Sequence, residues 1–532
     1  MKYNLWVLAG LCAWTTAYAN TPNPCGPNNP QCDLQFIEIP EIPVLSVGDC
    51  LTQTITEETY VIRNNTPIIN AITQLEIKNN DGLADDLVSL NEDAPNACTL
   101  DGTLPPHYTC SVTLSFNPCV AGNLDRTLEI KGETTQGTIS SDIQTDITPA
   151  CVTIGVADIL APEENDTLPF SNTTFDFGRT WQNPTFSPAK NDYYNMDGIS
   201  CVNTGVCVAV GNSNTDVASF TSLDWGSSWL PLTPTSQPVM GSVLNDVSCV
   251  ITGECVAVGN YYKNLTSNVL YTSDDFGRTW EPANYLFADD FLYSELTGVS
   301  CLPNGFCMTV GLAQNLDIVP VAQSYTSTDF GHTWTNTTPT HITNLSELID
   351  ISCTPNGHCV AVGETYSEDE EETGFIVSLA TTDFGQNWSS ATVIAPTTSD
   401  YDVITRSLGN ISCVDNGHCL AVGTLLTLDC PDRICNFSEV PLSYTSANFG
   451  KTWKEVSPPP PADVTVAVIV SSDCVNDGHC VAIGAFGPDS NVYPLSYTTL
   501  DFGNTWEMIT DTSLPPSLNT DLTAVNDISC GR

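Results

Sequence analysis

Carboxylates and aromatic rings share the longest loops of this 532-residue chain. Tyr285, Phe287, Asp289, Asp290 and Tyr293 fall together, Tyr366 precedes the acidic run Glu368–Glu372, and Asp400, Tyr401 and Asp402 form a third group. An aromatic face stacks on a sugar ring or a cation, and a neighbouring carboxylate orients a hydroxyl, a cation or a basic side chain. Two carboxylates at a suitable separation also suffice to cleave a glycosidic bond. The candidate ligand-binding residues are therefore Tyr285, Phe287, Asp289, Asp290, Tyr293, Tyr366, Tyr401 and Asp402. The Glu368–Glu372 run reads as a solvated loop, because clustered like charges repel.

Other chemistries lack their parts. No Ser-His-Asp or Cys-His arrangement stands out, and there is no phosphate loop or dinucleotide fingerprint. His358, His418 and His479 recur in Gly-His-Cys at one repeat position. Ligands must approach one zinc ion to about 2.0–2.1 Å, and equivalent positions in neighbouring repeats lie too far apart for that. They read as turn residues, so no metal site and no cofactor is expected. A structural cation such as calcium is compatible with the charge. That charge is −48, from 62 acidic and 14 basic residues. It repels nucleic acid and anionic membranes and favours a basic partner. With 41% hydrophobic residues, the chain is a folded protein with a one-sign surface.

The elements that must position these residues are repeated. Seven turns run down the chain: Phe175–Trp181, Leu223–Trp229, Asp274–Trp280, Thr328–Trp334, Thr382–Trp388, Ala447–Trp453 and Leu500–Trp506. Each carries Gly and Trp, and six carry the acid: Asp176, Asp224, Asp275, Asp329, Asp383 and Asp501, with Asn448 in the sixth copy. Most follow an S-C-x5-C segment and a Val-Ala-Val-Gly-like strand. Each unit predicts four short strands: A ending in Ser-Cys, B starting at the next Cys, C ending before the turn, and D after it. Successive A-strand cysteines are 48 to 61 residues apart, the size of a propeller blade.

The turn resembles the Asp-box, or BNR repeat, of sialidases, sortilin-like receptors, some xyloglucanases and photosystem assembly factors. The resemblance implies an all-β, seven-bladed β-propeller over 151–532, with the boxes at the rim, away from the ligand site. The residues agree with a structural role: the carboxylate can accept the turn's own N–H groups, Gly permits positive φ, and Trp packs between blades. Sialidase chemistry needs an arginine cluster. The propeller region holds only Arg179, Arg278, Arg406, Arg433 and Arg532, and no Arg-Ile-Pro motif. Residues 41–150 resemble the immunoglobulin-like domains of bacterial surface proteins, on Cys110–Phe116 and Arg126–Ile130 with the prolines and glycine around them.

Residues 1–19 read as a signal peptide and 20–40 as a loose leader. Losing Cys12 leaves 22 of 23 cysteines in an oxidising compartment, extracellular or periplasmic. The expected bridges are Cys201–Cys207, Cys249–Cys255, Cys301–Cys307, Cys353–Cys359, Cys413–Cys419, Cys474–Cys480 and Cys430–Cys435. Asn526–Cys530 reads as an A strand and Cys151–Gly155 as a B strand, so Cys151–Cys530 is expected to close the first blade, with C near 168–175 and D near 180–186. Cys25, Cys32, Cys50, Cys98, Cys110 and Cys119 are left open. The expected function is recognition of an extracellular protein or glycan through the loop face, without catalysis or membrane insertion. A non-sialidase glycoside hydrolase is the alternative.

Overall fold

The computed structural model describes residues 33–531 apart from 41, 43–44, 48–55, 81–82, 84–86, 93, 134–137, 162–163, 183–193, 214–216, 233–241, 262–266, 284–290, 318, 341, 343, 366–374, 390–391, 395–402, 430–435, 463, 488–492 and 510–522. The signal-peptide expectation at 1–19 and residues 20–32 of the leader expected at 20–40 lie outside the described residues; the rest of that leader is not loose, because Leu34–Glu38 is a strand paired with Thr56–Asn64. The chain divides into two compact units, the first ending at Asp146 and the second beginning in earnest at Ile147.

The first unit is built of two antiparallel sheets. One takes the order Leu34–Glu38, Thr56–Asn64, Thr109–Phe116, Val88–Asn91, and the other contains Ile139–Thr148, Gly122–Gly132, Asn70–Asn79 and Thr103–Leu104. The period-2 pattern does the work here: Tyr60, Ile62 and Asn64 alternate inward along Thr56–Asn64. Leu34, Phe36, Leu114, Phe116, Leu128 and Ile130 are fully buried. Phe36 and Tyr60 meet edge-to-face at 5.7 Å. The strand Asn70–Asn79 is anchored by buried Asn70 and Ile72 at its start. Two of the cysteines left open, Cys98 and Cys110, are bonded to each other, and Cys119 is also in a disulfide.

The second unit is a β-propeller-like array of repeated antiparallel sheets. Its A strands are Tyr194–Cys201, Ser242–Cys249, Phe291–Cys301, Leu345–Cys353, Val403–Cys413, Val466–Cys474 and Thr523–Cys530. Each pairs with a B strand so that two cysteines face each other, as Cys201 faces Cys207. The six local bridges Cys201–Cys207 through Cys474–Cys480 are formed, with Cα atoms 4.0–4.1 Å apart. That spacing is the close, non-hydrogen-bonded type of antiparallel pair, which suits a cross-strand bridge. Cys430–Cys435 lies outside the described residues.

Thr523–Cys530 pairs with Cys151–Ala161, and Cys151 is bonded to Cys530. The strands of this sheet differ from expectation in length. Glu164–Thr174 starts earlier than 168, because it forms an eleven-residue hairpin with Cys151–Ala161. No D strand at 180–186 is found among the described residues; Gln182 N–H donating to Thr173 O (2.8 Å) is its beginning. Elsewhere the D strands are short, two or three residues each. The last two repeats share one sheet through a single parallel pair, Glu439 with Val466.

Two local devices repeat. The first is a β-bulge four residues before each A-strand cysteine, as between Leu296 and Gly298. It drives the A-strand carbonyl against the B-strand glycine. A Cβ on Gly311 would sit 2.0 Å from Glu295 O, and on Gly259 2.0 Å from Val243 O. The glycine of Val-Ala-Val-Gly therefore serves close approach, at ordinary φ.

The second is the Asp-box turn. Asp275 accepts from Thr279 N–H (2.7 Å), Thr279 Oγ1 (2.8 Å) and Ser273 Oγ (2.9 Å). The residue before the glycine, and not only the glycine, has positive φ: Phe276 lies at 57° and Gly277 at 70°. Such a conformation in a bulky residue needs outside support. Phe276 N–H donates to Gly253 O of the A–B turn (2.8 Å), and five other boxes repeat this bond. Trp280 packs on Val208 and Val210 of the preceding sheet, and its Nε1–H donates to Ser219 Oγ (3.1 Å).

Candidate functional site

The A strands meet around a cavity of about 210 Å³. Its wall is made by the bulged residues and their neighbours. The residue before each A-strand cysteine accepts the cysteine N–H of the next sheet. Ser200 accepts from Cys249, Ser248 from Cys301, Ser300 from Cys353, Ser352 from Cys413 and Ser412 from Cys474. Asp473 then accepts from Cys530 (2.8 Å) and Ser529 from Cys201 (2.9 Å), so these seven bonds return to their start.

Two residues farther up, carboxylates take over. Asp246 accepts Val299 N–H (2.7 Å), Asp350 accepts Ile411 N–H (2.8 Å) and Asp527 accepts Ile199 N–H (2.8 Å). Asn410 does the same for Ser472 (2.9 Å). Glycine stands at this position in the two strands between the first three acids. A Cβ on Gly198 would meet Asp246 Cα at 2.7 Å, and on Gly298 Asp350 Oδ1 at 2.7 Å. Burial pushes Asp527 up to about 7 and Asp197 up to about 6. Asp246 and Asp350 are raised by burial too, and Asp246 also by the charges of Asp350 and Asp527.

Toward the N-terminal ends of the A strands the wall continues into a second group. Tyr293 is half-buried, and its hydroxyl donates to Glu295 Oε2. Asn245, which lines the cavity, donates to Glu295 Oε1 (2.9 Å). Glu347 and Glu364 are direct cross-strand partners. Burial, reinforced by Glu295, raises Glu347; burial, reinforced by Glu347, raises Glu364 to about 6. Behind them Asn268 donates to Gln323 Oε1 (3.0 Å). Asn260 is completely buried, and neither of its amide atoms has a hydrogen-bond partner among the described residues.

Of the candidate ligand residues, only Tyr293 falls among those described. Tyr285, Phe287, Asp289, Asp290, Tyr366, Tyr401 and Asp402 lie outside them, as do Asp400 and Glu368–Glu372. Reading the sequence missed Glu295, Glu347, Glu364 and the axial aspartates. The available signal was weak: polar residues stand three, four or six places before some A-strand cysteines and not others.

Chemically, the group pairs an oriented carboxylate, Glu295, with a carboxyl raised to about 6, Glu364. Environments that separate two carboxyl groups in this way are what acid–base chemistry on a glycoside uses, and what hydroxyl recognition also uses. The histidines sit elsewhere. His358, His418 and His479 stack on Phe449, Phe502 and Phe177 of the Asp-boxes, with ring centroids 4.0–4.3 Å apart. Among the described residues no group of three or more His, Cys, Asp or Glu is placed to hold a metal ion. Arg179 reaches Glu507 (3.6 Å), and Arg278 is exposed within its box.

The BNR-Asp box repeat matches at residues 270–282 and 444–456. The fold is similar to a Hadza microbial sialidase, 12% identical over 84% of this chain and 96% of that one, TM-score 0.39. It is similar to the GH74 xyloglucanase from Xanthomonas campestris, 16% identical over 59% of this chain, TM-score 0.37; the match spans 45% of the xyloglucanase. A protein of unknown function from Dyadobacter fermentans is 13% identical over 57% of this chain and 94% of its own, TM-score 0.38. Likeness at this level carries no activity across. No curated protein matches the chain. No helix among the described residues is long and apolar enough to cross a membrane.

Proposed function

We propose that this is an exported carbohydrate-recognition protein, a seven-bladed Asp-box propeller preceded by an immunoglobulin-like spacer. Its ligand face lies at the N-terminal ends of the A strands of the third to fifth blades. The observation that carries the reading is the Tyr293–Glu295–Asn245 group beside Glu347 and Glu364: an aromatic edge, an oriented acceptor and two carboxyls raised by burial, half-buried together. Such convergent polar groups suit sugar hydroxyls. The closed circle of seven interstrand bonds supports the blade count, and the eight described disulfides support an oxidising compartment. The loops at 284–290, 366–374 and 395–402 are proposed to complete the face with Tyr285, Phe287, Asp289, Asp290, Tyr366, Tyr401 and Asp402.

A second reading is glycoside hydrolysis, favoured by one observation: the Glu364 carboxyl is raised to about 6 while Glu295 is held by two donors. Glu364 would donate a proton to the leaving oxygen and Glu295 would act as base or nucleophile. The test is a glycan array run beside reducing-end assays on the same polysaccharides, with Tyr293→Phe, Glu295→Gln and Glu364→Gln. Binding lost in Glu295→Gln without turnover in the parent supports recognition. Turnover lost in Glu295→Gln and Glu364→Gln supports hydrolysis. Unchanged binding in all three variants sinks both readings.

A further inference from the structure

The cavity at the strand axis has an unusual charge pattern. Five of the seven A strands each contribute an aspartate to its wall: Asp197, Asp246, Asp350, Asp473 and Asp527. The other two, Phe291–Cys301 and Val403–Cys413, contribute Thr297 and Asn410, which do not titrate. Among the described residues no Lys, Arg or His lines it. Each of Asp246, Asp350 and Asp527 binds two strands at once. One oxygen takes the N–H of the next residue in its own strand, and the other takes an N–H of the neighbouring strand. Ser471 adds a 2.6 Å bond to Asp527. These carboxyls are therefore both the rivets between sheets and a set of like charges facing one cavity.

We propose that Asp246, Asp350 and Asp527 are a proton-operated lock on the ring of sheets. Carrying protons, they bridge neighbouring strands without net charge. Ionised, they repel one another across a cavity that offers no counter-cation, and the interstrand seam loosens. The direction follows from burial, which raises Asp246, Asp350, Asp527 and Asp197 above the ordinary carboxylate range. A carboxyl raised in the folded state gives stability that is full below its unfolded value, near 4, and lost as pH rises through its folded value. Here the loss falls across about pH 6 to 7, set by Asp197 and Asp527. The backbone N–H bonds work the other way, favouring the ionised form, but burial outweighs them.

The test is thermal unfolding of the whole protein from pH 4.5 to 8.5, at low and high salt. Asn410 shows that the repeat accepts a carboxamide at this position, so Asp350→Asn and Asp527→Asn are suitable variants, with exposed Asp317→Asn as control. Wild type and the control are expected to lose several degrees of melting temperature between pH 5 and 8, and high salt should restore part of that loss by screening the like charges. Each axial variant should flatten that step. Amide exchange at Ile199 and Ile411 should speed up over the same interval in wild type by clearly more than the intrinsic base-catalysed rise, which buried amides away from the axis follow. Should a variant fail to fold, this exchange profile alone decides. A wild-type melting temperature that holds or rises through pH 6 to 7, or axial variants parallel to the control, would overturn the lock.

Discussion

An Asp-box aspartate directs its hydrogen bonds at its own turn, and that sets what its removal does. Asp275→Ala strips three acceptor contacts from a half-exposed turn and should cost about 1 kcal/mol, read as a lower melting temperature with ligand binding intact. Asn448 shows the tolerance of the site: its Oδ1 keeps the Thr452 N–H, while its Nδ2 donates to the Thr452 hydroxyl, which now accepts. A different outcome is expected for Gly311→Ala. The new methyl would press on Glu295 O, on the strand that carries Tyr293 and Glu295. Overpacking of this kind costs about 1–3 kcal/mol, and binding should fall with stability. Calorimetry and a binding titration on the same samples check both variants. These two residues also mark what sequence could reveal. The box was legible because all its partners lie within seven residues and recur. The glycine was visible, but its reason was not, because the carbonyl it accommodates sits some sixteen residues away, across a bulge that strict alternation does not anticipate.

At the scale of the element, the strand Thr523–Cys530 is the one that joins distant parts of the chain. Its bridge closes a loop across a separation of 379 residues, against six for the hairpin bridges. In the chain-entropy model the long loop is worth about 5–6 kcal/mol and a six-residue one about 2. The double variant Cys151→Ser, Cys530→Ser should therefore fold and melt well below the parent, while Cys353→Ser, Cys359→Ser should melt only slightly lower. Removing residues 526–532 takes the pairing partner from Cys151–Gly155 and bares its edge, so aggregation on size exclusion is the expected result. Peptide mapping without reductant, paired with differential scanning, measures the first two. The A–B hairpins were legible from cysteine spacing. The site residues on the same strands were not, because Glu295 and Glu347 stand where other repeats carry Asn195, Val243, Ser407 and Val468. A motif search discards columns that vary, and function on a repeated scaffold lives in those columns.

For the whole molecule, two sets of aspartates with opposite pH behaviour share one fold. Burial pushes the box carboxyls of Asp275, Asp329 and Asp501 up, but hydrogen bonds from their own turns win and hold them below the ordinary range. Asp383 is lowered first by the Asn387 side chain. Their stability is full above the unfolded value, near 4, and is lost as pH falls through their lower folded values. The axial set loses stability in the opposite direction, above about pH 6. Melting temperature against pH should therefore rise to a maximum between about 4 and 6 and fall on both sides. A monotonic profile from pH 2 to 9 would show that one set does not behave as its contacts dictate.

The pairing of Cys151–Ala161 with Thr523–Cys530 has a consequence for how the protein is made. During synthesis the second unit begins with a hairpin, Cys151–Thr174, whose inner edge has no partner until some 350 further residues have emerged. Every intervening sheet can form its own A–B pair at once. The first sheet cannot, and its cysteine must stay unoxidised, or be reshuffled, until the end. Where two nascent copies meet before completion, the final strand of one fits the vacant edge of the other, and the cystine that should seal a ring seals a dimer instead.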